Sequence, residues 1–62
     1  MLNVRELIGL SEEDAVKKIR EAGFRPRVRR RNQESYFGTM DYRTDRVNLE
    51  IDKGKVTKAH IG

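Results

Sequence analysis

The sequence has no cysteine, one proline and one histidine, and no apolar run approaching the roughly 20 residues of a membrane-spanning helix. Without cysteine there is no disulfide framework, and His60 alone cannot assemble a metal shell without help from carboxylates. Rigidity in a chain of 62 residues must then come from packing, hydrogen bonds and ion pairs. Met1-Leu2-Asn3-Val4-Arg5 lacks the apolar core of a signal peptide, so the chain reads as soluble, in a reducing cytosol or secreted after loss of a leader, with no membrane partner. A domain of this size buries about 60% of its unfolded surface, which leaves little room for an enclosed catalytic cavity. The one histidine has no evident nucleophile beside it. Neither an enzyme nor a bound cofactor is expected.

What the chain does have is charge and periodicity. Charged residues make up 39% and hydrophobic residues 35%, a balance that would suit a disordered chain, yet the charges are of both signs and the apolar residues recur at fixed spacings. One folded domain over residues 1–62 is expected. Leu2, Val4, Leu7, Ile8 and Leu10 form a short apolar lead-in ending in a helix signal. Ser11 is the cap, Asp14 stands three residues on, and Glu12, Glu13 and Asp14 place negative charge where the helix dipole favours it. Ala15, Val16, Ile19 and Ala22 line one helical face; Lys17, Lys18, Arg20 and Glu21 take the other. Gly23 is the left-handed stop, with Pro26 preventing continuation.

From Phe24 to Arg31 the alternation Phe24, Pro26, Val28 predicts a first strand, with Pro26 demanding an edge or a strand start and Arg30 breaking the apolar series. Val47, Leu49 and Ile51 alternate with Asn48, Glu50 and Asp52, the pattern of a strand with one buried and one wet face. Asp52-Lys53-Gly54-Lys55 reads as a turn with Gly54 at positive φ, returning into a last strand through Val56, Ala59 and Ile61. The expected fold is α+β: one helix packed on a small mixed sheet of about three strands, the first two parallel, with a long exposed loop from Asn32 to Arg43 between them. Ala15, Val16, Ile19, Val47, Leu49 and Ile51 should form the core. Loops of that length without secondary structure are uncommon in compact domains and are usually functional or disordered.

The run from Thr39 to Asp52 resembles the binding loop and following strand of the potato inhibitor I family of serine protease inhibitors, the chymotrypsin inhibitor 2 and eglin type. Glu6-Leu7-Ile8-Gly9 and the ending His60-Ile61-Gly62 extend the likeness over nearly the whole chain. Asp41-Tyr42-Arg43 followed by Asp45-Arg46-Val47-Asn48 also resembles a related set of small bacterial inhibitors. The resemblance implies a scissile bond between Met40 and Asp41, with Met40 entering the pocket of a subtilisin-like or chymotrypsin-like enzyme. Gly38, Thr39, Met40, Asp41, Tyr42 and Arg43 would form the protease-binding loop. Arg46 and Asn48 would support it from the adjoining strand, Asn48 standing where plant and leech members place a second bracing arginine. A neutral donor there makes a weaker brace than a charged one, so an inhibitor fold that has lost inhibition is an alternative reading.

Two other readings compete. Arg25-Pro26-Arg27-Val28-Arg29-Arg30-Arg31 holds five arginines in seven residues, with Tyr36 and Phe37 following, a combination that can track phosphates and stack bases. An alternating strand would put Arg25, Arg27 and Arg29 on a solvent face, where charge also discourages sheet-to-sheet aggregation. No nucleic-acid recognition fold accompanies the run, so nucleic acid is the weaker partner assignment. The first half, Leu7-Ile8-Gly9-Leu10-Ser11 with Ala22-Gly23-Phe24, also resembles the cell-wall-binding repeats of bacterial kinases and penicillin-binding proteins, but their second half finds no match here.

Overall fold

The computed structural model describes residues 2–36 and 42–62. The elements run in the order 3₁₀ helix Val4–Leu7, α1 Glu12–Glu21, β1 Arg25–Arg31, β2 Glu34–Ser35, β3 Arg46–Asp52 and β4 Lys55–Ile61. The expected α+β architecture is present, with one helix on one face of a mixed sheet ordered β2-β1-β3-β4. β1 and β3 are parallel, Pro26 opposite Val47 and Val28 opposite Leu49, while β3 and β4 form an antiparallel hairpin.

Local chemistry sets the element boundaries. Ser11 Oγ accepts the Asp14 amide at 3.2 Å, one of the donors that a helix start leaves without a partner, and Gly23 at φ +85° ends the helix. The apolar lead-in is itself helical at Val4–Leu7, capped by Asn3, whose Oδ1 accepts the Arg5 amide at 3.0 Å. It then runs against β4: Gly9 N donates to Val56 O at 2.8 Å and Val56 N to Leu10 O at 2.9 Å. The β3–β4 turn needs positive φ at two positions, Lys53 at +53° and Gly54 at +77°, as a two-residue hairpin turn of the right twist requires.

The sheet has a fourth strand where three were expected. The two-residue β2 folds back on β1 with Arg31 opposite Glu34 and Arg30 opposite Ser35. The turn rests on Asn32 at φ +58°, a conformation that a short polar side chain tolerates. Both residues of β2 are exposed, so no apolar alternation announces them. The stretch read as loop from Asn32 therefore starts with a hairpin. Because β2 pairs only with Arg30 and Arg31, β1 is an edge at Pro26 among the described residues, as a residue without an amide proton requires.

The buried core consists of Leu7, Ala15, Ile19, Val47, Leu49, Ile51 and Val56. Val16 is only half-buried and Ala22 is exposed, because a ten-residue helix meets this small sheet along one line, through Ala15 and Ile19. Leu7 and Val56 complete the core from the lead-in and β4. A register shift between Val28 and Arg30 inserts Arg29 as an extra residue in β1. It resets the alternation: Arg30 shares the face away from the helix with Glu50, and Arg31 sits opposite Ile51 on the helix side.

Candidate functional site

The connection from β2 to β3 spans residues 36–45, and β1 holds both of its ends. Tyr36 N donates to Arg29 O at 2.8 Å, and Arg25 N donates to Asp45 O at 2.8 Å. The two anchoring points lie four residues apart on one strand, about 13 Å at the usual strand rise. Gly38, Thr39, Met40 and Asp41, four of the six expected loop residues, lie outside the described residues. The other two, Tyr42 and Arg43, are both exposed, Tyr42 to 72%.

Arg46 and Asn48, the expected supports, project from the β3 face turned away from the helix and meet at Gly62. Arg46 Nε donates to the Gly62 carbonyl at 2.8 Å, and Asn48 Nδ2 donates to the same oxygen at 2.8 Å. Gly62 N in turn donates to Arg46 O at 3.0 Å, so the residue is bound on both sides. Alternation puts Asn48 on the wet face, yet it is 3% exposed. The glycine covers it, with the Tyr42 ring close to Gly62; a Cβ on that glycine would lie 3.6 Å from the ring. Asn48 Oδ1 is buried without a hydrogen-bond partner among the described residues, while Nδ2 also lies 3.5 Å from His60 Nε2. The family resemblance singled out Arg46 and Asn48 as side chains but not the Gly62 carbonyl as their common acceptor, since no sequence signal marks a backbone oxygen for that role.

Two ion-pair groups flank the anchors. Arg30 donates to Glu50 Oε1 at 2.8 Å and to both Asp52 oxygens at 2.8 and 2.7 Å, and also to the Asn32 carbonyl. The hydrogen bond from Arg30 holds the Glu50 and Asp52 carboxyls below the usual carboxylate range, helped at Asp52 by Thr57, and the two carboxylates raise Arg30 in return. Arg31 forms a bidentate pair with Glu12 at 3.0 and 2.7 Å and donates to the Tyr36 hydroxyl at 3.2 Å, tying the helix start to the beginning of the connection. Asn32 closes the group, its Oδ1 accepting from Lys53 N at 2.7 Å across the two hairpins. A shallow cleft on this face is lined by Arg29, Arg30, Ser35, Tyr36, Glu50 and His60.

The arrangement is a small body that clamps the two ends of a ten-residue connection and stacks polar donors beside one of them. No group of His, Cys, Asp or Glu among the described residues is placed to hold a metal ion. Comparison with curated proteins finds no match. A model of the potato inhibitor I family matches residues 5–60, through the lead-in, the helix, the connection and the strands on either side of it. The chain therefore belongs to the potato inhibitor I family, whose members inhibit serine proteases.

Proposed function

We propose that this protein, one domain over residues 1–62, inhibits a subtilisin-like or chymotrypsin-like serine protease by presenting residues 38–43 as a substrate held too firmly to be turned over. In this reading Met40 fills the specificity pocket, its unbranched thioether suiting a deep apolar slot, and the bond under attack joins Met40 to Asp41. Thr39, Asp41, Tyr42 and Arg43 flank it, with Gly38 at the entrance. Arg46 and Asn48 stiffen the far side from β3. A segment already in its bound shape loses little conformational entropy on docking, and a new amine that cannot move away re-forms the peptide bond.

The observation that supports this best is the double anchoring of the connection to one strand, through Tyr36 N to Arg29 O and Arg25 N to Asp45 O. Incubation with subtilisin, chymotrypsin and trypsin tests it. Inhibition constants and the masses of any cleavage products would be measured together. Tight inhibition of the first two, with slow cleavage between Met40 and Asp41, is expected. Rapid cleavage there without inhibition, or cleavage elsewhere only, would remove the reading.

A further inference from the structure

The positive excess of this molecule is concentrated on β1. Five of the fourteen basic residues lie in Arg25–Arg31, which holds none of the ten acidic ones, and the nine that remain elsewhere are outnumbered by acids. Two of the five are neutralised in place: Arg30 by Glu50 and Asp52, and Arg31 by Glu12. Arg25, Arg27 and Arg29 have no carboxylate at ion-pair distance among the described residues; Arg25 and Arg29 are exposed and Arg27 is half-buried. These three guanidinium groups occupy the stretch of β1 whose backbone holds the ends of the connection, Arg25 at one anchor and Arg29 at the other. The uncompensated charge therefore spans the two backbone anchors, at Tyr36 and Asp45, of the connection assigned above to the protease.

We infer that Arg25, Arg27 and Arg29 form a second recognition surface beside the loop, and that the partner it fits is a serine protease with an acidic rim around its substrate cleft. The inference rests on the inhibitor reading and narrows the class of target. Exposed charges next to a docking surface act mainly on encounter: they raise the association rate at low salt, are screened as salt rises, and leave dissociation largely to the closely packed contacts. A nucleic acid suits the surface less well, because the Glu50 carboxylate lines the adjoining cleft and the Arg31 guanidinium already lies over the Tyr36 ring, 5.8 Å from its centroid.

The test compares association and dissociation rates for the most tightly inhibited protease across a salt series. It uses the parent, the triple variant R25Q/R27Q/R29Q, and a control with the same charge loss on the helix, K17Q/K18Q/R20Q. The inference expects the β1 variant to associate about tenfold more slowly at low salt, with a flattened salt dependence, while its dissociation rate stays within about twofold of the parent. The helix control should associate much as the parent does. Should Arg27 prove necessary for folding, R25Q/R29Q keeps it and should show a smaller shift of the same kind. Equal association rates for parent and β1 variant, with inhibition intact, would overturn this inference while leaving the inhibitor reading in place. Equal losses in the β1 and helix variants would also overturn it, since net charge alone would then be at work. Salt-sensitive binding of a single-stranded oligonucleotide that the β1 variant loses, with unchanged protease association, would assign the surface to nucleic acid instead. A parent that inhibits none of the proteases would remove both readings together.

Discussion

Asn48 and Gly62 are joined by a hydrogen bond of 2.8 Å in which a buried carboxamide donates to a backbone carbonyl, and Arg46 donates to that same oxygen from two residues away. The last residue of the chain is thereby fixed beneath the start of β3. Asn48→Ala should lower the unfolding free energy by only about 1 kcal/mol, because the lost bond is partly offset by removal of the unpartnered Oδ1. Asn48→Asp keeps the shape but turns an acceptor toward the Gly62 carbonyl, and should cost more than Asn48→Ala. Urea midpoints of the two variants at neutral pH give the order, and the reverse order would mean that Nδ2 does not hold Gly62.

Arg46→Ala should spare the fold and harm the inhibitor. Arg46 is half-buried on the face away from the core and donates to the Gly62 carbonyl, so the domain should stay folded with its melting temperature lowered by about 4 to 8 °C for each kcal/mol that this bond contributes. Loss of a charge-assisted donor beside the connection, about 1.5 to 3 kcal/mol, should speed cleavage at Met40 about tenfold or more. Timed mass spectrometry with subtilisin reads this directly, and a variant cleaved at the parent's rate would show that Arg46 does not stiffen the segment.

Acid should loosen the sheet through Arg30. The folded state holds the Glu50 and Asp52 carboxyls below their ordinary range, so their contribution is fully present above about pH 5 and is lost as pH falls through the lowered folded values. Stability followed by chemical denaturation from pH 7 to pH 2 should therefore decline on the acid side. In Arg30→Gln that decline should be shallower, because the partner that lowers both carboxyls is gone. Identical pH profiles would show that the triad does not couple protonation to folding.

The β3–β4 turn contains a correctable strain. Lys53 sits at φ +53° beside Gly54 at +77°, and its long unbranched aliphatic stem lacks the short polar group that offsets the left-handed region. Lys53→Asn gives this turn the residue pair that suits it best and should raise stability by about 0.5 to 1 kcal/mol, seen as a higher urea midpoint at unchanged slope. An unchanged or lower midpoint would place the strain elsewhere.

Legibility in the sequence followed the strength of local signals. The helix, its Ser11 cap and its Gly23 stop were readable because each is a residue type with one dominant use, and β3 was readable because Val47, Leu49 and Ile51 alternate against a single covered face. β2 was hidden because two exposed residues have no face to bury. The burial of Asn48 was hidden for a different reason: it depends on Gly62, fourteen residues away, folding back over a position that strand alternation assigns to water. The family likeness singled out Arg46 and Asn48, while the anchors at Arg25 and Arg29 act through backbone atoms, which no side-chain pattern can announce.

Among the described residues, the seven buried apolar side chains occupy positions 7, 15, 19, 47, 49, 51 and 56, and none of them belongs to the connection between β2 and β3. If residues 38–43 meet the protease as proposed, foldability and recognition draw largely on separate stretches of chain. Substitutions at exposed positions such as Arg43 draw little on the stability margin, which for a domain of this size is of the order of 5 kcal/mol. A change such as Leu49→Ala would consume most of it. Lineages carrying this scaffold should be free to alter their targets quickly while the sheet and helix stay nearly constant.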